Sequence, residues 1–158
     1  MSEVEFENNI LAVKAALDRM AERFLEEAGQ VLEAQAKRNT RKKSSHTRNG
    51  WKHTVNMSEM SVTIGNPIIN AVWEEYGTGE YALNGDGRKG GWVYCVDNGN
   101  KITRNKDGSM RKNSKHKKEK EFYFTLGKKP RRMLHNAYHT KKSGLIRRAN
   151  QLAKEELK

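Results

Sequence analysis

Cysteine is nearly absent from this chain: Cys95 stands alone among 158 residues. One thiol excludes an intrachain disulfide and every metal site built from several cysteines, and it suits a reducing compartment. Long apolar runs are also missing. No stretch approaches the roughly 20 residues that span a bilayer. The N-terminus carries Glu3, Glu5 and Glu7 where a secretory leader would have a basic start and an apolar core. The expectation is a soluble protein that does not use that export route and has no membrane partner. Acids are the scarcer charge, 19 against 31 Lys and Arg, leaving a net charge of +12. That excess favours an anionic partner such as nucleic acid or an acidic protein surface.

Patterns that would carry chemistry are lacking in turn. Five histidines are present, at 46, 53, 116, 135 and 139. His135 and His139 share a helix face at four-residue spacing, but no Glu lies between them as in the zinc-protease motif. Glu74, Glu75, Asp86, Asp97 and Asp107 form no spaced set of the kind a metal-dependent nuclease needs. Gly85–Gly91 is rich in glycine but leads into a strand, whereas a phosphate-cradling loop leads into a helix. The sequence therefore predicts no catalytic residues, no metal and no cofactor. Basic runs at 37–52, 101–120 and 128–148 suit phosphate contacts without base reading. Aromatic residues scarcely interleave with them, so a stacking platform for single strands is poorly supported.

What is present reads as a single α+β domain. Residues 1–38 predict one long helix, with Phe6, Ile10, Val13, Leu17, Met20, Phe24, Ala28 and Val31 on one stripe. At about 1.5 Å per residue it would exceed one small core, so it either kinks near Gly29 or reaches a neighbouring subunit. A basic connector fills 39–50, and 51–130 holds a small antiparallel β-sheet. Strands are expected at Trp51–Val55, Met60–Ile64, Trp92–Val96 and Phe122–Leu126, while Ile68–Tyr76 is ambiguous between strand and helix. Between the last two strands lies a long, flexible basic hairpin loop, 101–120. It holds Lys101, Arg104, Lys106, Arg111, Lys112, Lys115, Lys117, Lys118 and Lys120 as candidate DNA- or partner-facing residues. A C-terminal helix, 131–158, follows Pro130, with Gly144 as a candidate break. Both helices are expected to pack on the sheet.

The most telling segment is Trp73-Glu74-Glu75-Tyr76-Gly77-Thr78-Gly79, with a distant counterpart in Gly127-Lys128-Lys129-Pro130. Two glycines flanking a threonine make a turn in which the backbone must bend freely. We assign Glu75, Tyr76, Gly77, Thr78, Gly79, Gly127 and Pro130 to a structural turn or interface. Together with Gly50-Trp51-Lys52 and the entry Met133-Leu134-His135-Asn136-Ala137, these motifs follow one another in an order that resembles the minor tail-component, or head–tail joining, proteins of long-tailed bacteriophages. Ser44-Ser45 and Asn70 depart from the family's usual Thr-Gly and Tyr, and the 101–120 insertion is unusual. The resemblance implies a non-enzymatic virion part at the head–tail interface, made in the host bacterial cytoplasm. It further implies tail completion as a six-fold ring of identical copies. Such a ring would meet neck, tail-tube or terminator proteins and touch phage DNA without sequence reading. The alternative from charge alone is a stand-alone nucleic-acid-binding protein.

Overall fold

The computed structural model describes residues 9–41, 45–96, 102–104, 110–112 and 121–156. They gather into two compact units, one formed by the chain up to Ala71 together with the segment from Met133 onward, the other by Val72–Arg132. The α+β composition expected from the sequence is present. Among the described residues its antiparallel pairing is divided among three two-stranded ladders instead of a single sheet, because the first hairpin leads into a helix and the last strand into a glycine turn before a third strand can add.

The first unit is built on helix α1 (Ile10–Asn39) and helix α4 (Met133–Glu156). A short helix α2 (Ser45–Asn49) and the hairpin of β1 (Lys52–Asn56) with β2 (Ser61–Gly65) complete it. The two long helices run antiparallel. Asn39 Nδ2 donates to the carbonyl of Met133 at 2.8 Å, while Arg19, near the other end, pairs with Glu156 at 3.7 Å. Ala36, Trp51, Ala71, Met133 and Ala137 form the core, with Ile64 and Leu134 packed against it. Alanines at 36 and 137 let large side chains approach closely. The indole N–H of Trp51 donates to Thr40 Oγ1 at 2.9 Å, and that hydroxyl donates to the carbonyl of Ala36 at 2.8 Å, so the polar atom buried with the indole is satisfied.

Three sequence expectations change here. Helix α1 runs through Gly29 without interruption; a Cβ there would collide with the His53 ring, so the glycine serves close approach by β1. Helix α4 likewise continues through Gly144, where a Cβ would meet nothing. The buried line on α1 passes through Leu25, Ala28, Leu32 and Ala36, whereas Val31 is exposed. A stripe counted in alternating threes and fours drifts around a helix of 3.6 residues per turn.

The second unit contains most of helix α3 (Ile69–Tyr76), a single 3-10 turn at Gly79–Tyr81, and strands β3 (Trp92–Val96) and β6 (Glu121–Thr125). The ambiguous Ile68–Tyr76 segment is thus helical. Strands β3 and β6 pair antiparallel with Trp92 opposite Thr125 and Tyr94 opposite Tyr123. The Tyr94 and Tyr123 rings stack at 5.4 Å, and Tyr123 is buried. Within the basic segment, β4 (Ile102–Arg104) pairs antiparallel with β5 (Met110–Lys112). The remainder of the expected 101–120 loop lies outside the described residues, as do residues 1–8 of the expected N-terminal helix.

Candidate functional site

The two halves of the glycine motif, about fifty positions apart in the chain, are stitched together backbone to backbone in the second unit. The Thr78 N–H donates to the Lys128 carbonyl at 2.9 Å, and the Lys128 N–H donates back to the Thr78 carbonyl at 3.2 Å and to Thr78 Oγ1 at 2.9 Å. One step along, the Glu80 N–H donates to the Leu126 carbonyl at 2.9 Å. Residues 78–80 therefore extend the pairing beyond the end of β6. Main chains approach this closely because neither side presents a Cβ. A Cβ on Gly127 (φ +118°) would collide with the Thr78 carbonyl, and one on Gly79 (φ +63°) with that of Leu126. Both positions also need a backbone conformation that side chains resist.

An ion pair with a buried carboxylate and a part-exposed lysine locks the seam. Helix α3 turns Ala71 and Glu74 inward, three residues apart on one face. The Glu74 carboxylate is 3% exposed and accepts from Lys128 Nζ at 2.6 Å through Oε1. The Arg131 N–H donates to the Glu74 carbonyl at 2.6 Å. The other carboxylate oxygen, Oε2, is buried without a hydrogen-bond partner. The pair joins α3 to the 126–131 segment within one chain.

The residues assigned from sequence fall around this seam. Gly77, at φ +77°, closes α3, its N–H donating to the Trp73 carbonyl at 3.0 Å, and a Cβ there would strike the Lys128 carbonyl and the Pro130 ring. Pro130 thus packs at the seam, three residues before α4 begins. Glu75 is half-buried, whereas Tyr76 is 50% exposed and Trp73 47% exposed. Arg104, Arg111 and Lys112 lie on β4 and β5. Lys101, Lys106, Lys115, Lys117, Lys118 and Lys120 lie outside the described residues. Sequence reasoning did not single out Lys128 as the partner of Glu74. Reading Ile69–Tyr76 as a helix would have placed Glu74 with Ala71 on the inner face.

Other candidate clusters resolve into structure. The His135 and His139 rings lie 4.2 Å apart on α4, and among the described residues no group of three or more His, Cys, Asp or Glu is placed to hold a metal ion. His53 sits between two carboxylates of α1. Its Nδ1 lies 2.6 Å from Glu33 Oε2, which also accepts the His53 backbone N–H at 3.0 Å, and its Nε2 lies 3.3 Å from Glu26. The Glu33 hydrogen bond, opposed by burial and aided by Glu26, raises the imidazole pKa. Burial pushes the Glu33 carboxyl up, but hydrogen bonds from Lys37 and His53 outweigh it and hold the pKa at about 2. Arg148 on α4 grips Glu27 on α1 through two bonds, 2.6 and 2.9 Å, and its hydrogen bond lowers the Glu27 pKa.

Comparison with known proteins follows the same line. Residues 5–77 match the family model described as "Bacteriophage HK97-gp10, putative tail-component". Over that stretch, somewhat less than half of its length, the chain is similar to the HK97-gp10-like family. No described helix is long and apolar enough to cross a membrane. The matched stretch ends at Gly77, so the Gly127–Pro130 half of the seam stands beyond it. No curated protein and no solved structure matches the chain.

Proposed function

We propose that this chain is a phage tail component that completes the tail at the end that meets the head, acting as a structural joint without an enzymatic step. In this reading, copies close into a ring around the DNA channel, six-fold to match the tail, and contact neck, tail-tube or terminator proteins. The observation that carries the reading is the family match at residues 5–77. Two physical features support it. A net charge of +12 suits a part whose lumen passes DNA, since phosphate attraction requires no base reading. The acidic pair that would be the obvious catalytic candidate has its inner member buried against Lys128, as a framework element.

The test is location. Virions carrying an affinity tag on this protein, decorated with gold-labelled antibody, are expected to show label at the head–tail junction. Label confined to the distal tail tip, or spread along the tail, would overturn the joining role while leaving the tail-component assignment in place. Loss of DNA binding at physiological salt would not affect the reading, whereas tight duplex binding by an isolated monomer with a steep salt slope would favour a free-standing DNA-binding protein.

A further inference from the structure

Along the chain aromatic residues scarcely mix with the basic runs, but the fold brings the two kinds together at strand β6. Phe122 and Phe124 stand two positions apart, so they share one face of the ladder, with Val93 opposite Phe124. Phe122 is 61% exposed and Phe124 42%. The other face carries the stacked Tyr94 and Tyr123. The Phe124 ring lies over Gly91, where a Cβ would collide with it, so the missing side chain gives the ring its seat. Along the strand the two phenylalanines are about 7 Å apart. A two-stranded ladder is marginal in water unless its apolar face is covered.

Charge among the described residues selects the occupant. Within Val72–Arg132 they include nine Lys and Arg against five Asp and Glu, and one of those acids, Glu74, is buried. The ladder of β4 and β5, which carries Arg104, Arg111 and Lys112, lies against β6 through β4. Strand β6 itself runs on toward exposed Lys129. The positions that share the aromatic face, 93, 95, 122 and 124, hold no acid. A polyanion that also offers flat π-surfaces matches both features, phosphates for the Lys and Arg and unstacked nucleobases for the rings. In a duplex each nucleobase is covered by its neighbours, so rings reach nucleobases where a strand is single. A second copy of this +12 chain would bring like charge to the same face.

We propose that the β3–β6 face, through Phe122 and Phe124, is a stacking site for single-stranded nucleic acid. One nucleobase lies on each ring, and the surplus of Lys and Arg in this unit draws the phosphates. Binding is tolerant of sequence, because every nucleobase has a π-face. The site goes beyond the joining role, whose DNA contact is one of charge alone, and does not depend on it.

The experiment is fluorescence anisotropy on the full chain. The probes are a labelled oligothymidylate of about 16 nucleotides, an abasic deoxyribose-phosphate oligomer of the same length, and a DNA duplex. Wild type is expected to bind the oligothymidylate more tightly than the abasic oligomer, with affinity falling as salt rises. That comparison needs no variant. Phe122→Leu with Phe124→Leu keeps both side chains apolar but removes the rings. It should weaken oligothymidylate binding at least about tenfold and leave the abasic oligomer and the duplex unchanged. Phe122→Tyr with Phe124→Tyr keeps the rings and should bind as wild type does. Both side chains are exposed, so circular dichroism is expected to match wild type throughout. Equal wild-type affinity for the oligothymidylate and the abasic oligomer would reduce the surface to charge and overturn the site. So would a leucine variant that binds the oligothymidylate like wild type, or one that loses as much on the abasic oligomer or the duplex. Self-association of wild type in sedimentation velocity that Phe122→Ser with Phe124→Ser abolishes would assign the face to a second copy instead. The gold-labelling result decides the joining role separately.

Discussion

In the first unit the joints between elements are made by side chains. Arg148 reaches from α4 to Glu27, His53 from β1 to Glu33 and Glu26, and Trp51 to Thr40, around a core of Ala36, Met133 and Ala137. In the second unit the decisive joint is main chain against main chain, at Thr78 and Lys128, with the Glu74–Lys128 ion pair beside it. The contrast teaches what each unit tolerates. A side-chain joint can be repacked, since neighbouring rotamers shift to fill or vacate space. A backbone joint held by glycines has no such freedom, because the atoms a new Cβ would strike are carbonyls that are themselves hydrogen-bonded.

Substitutions can break this comparison or sharpen it. The largest effect is expected at the seam. Gly127→Ala forces a Cβ into the Thr78 carbonyl at a positive φ and should cost about 3 kcal/mol or more, read by urea denaturation. Gly85→Ala is its control: Gly85 also has a positive φ, +74°, but nothing lies within 4 Å of its Cβ position, so it should cost only about 1 kcal/mol. Equal losses at the two glycines would remove the seam from the account. Leu152→Ala, at a fully buried site on α4, should cost about 2–4 kcal/mol through its cavity. Hydrogen exchange should then show faster opening in α1 and α4 and little change around residues 78–80.

Lys128→Ala comes next. It strands the Glu74 carboxylate, and because the Lys128 side chain is partly open to water the loss should be about 2 kcal/mol, below that of a fully buried pair. Glu74→Gln with Lys128→Met removes both charges and should recover part of it; no recovery would mean the pair is not the lock. The smallest effect is that of pH on the first unit. The His53 pKa is raised on folding, so its contribution is complete below the ordinary histidine value of about 6.5 and is lost as pH rises through the folded value. Glu33, held at about 2 by the same cluster and Lys37, contributes above its ordinary value of 4.5 and loses that contribution as pH falls toward 2. Melting temperature should therefore decline modestly above neutrality in the wild type, and His53→Gln should flatten that decline.

Much of the architecture was legible in the sequence because it depends on local pattern. The long helices follow from apolar spacing and abundant alanine, and Trp92–Val96 and Glu121–Thr125 from β-branched and aromatic runs between glycines. Gly144 misled because one glycine costs a helix only about 1 kcal/mol, less than the packing of α4 on α1 restores. The Glu74–Lys128 pair was hidden for a different reason. Its partners are 54 positions apart, and nothing local marks Lys128 among the neighbouring bases as the one that turns inward. The glycine motifs were legible as turns, but that they meet each other is a fact of tertiary structure.

Assembly in the absence of the protein tests the central claim most directly. Electron microscopy of lysates from phage lacking this chain is predicted to show filled heads and finished tails that remain unjoined, with joining restored by wild-type protein. Intact, normally joined virions from the same lysate would contradict it.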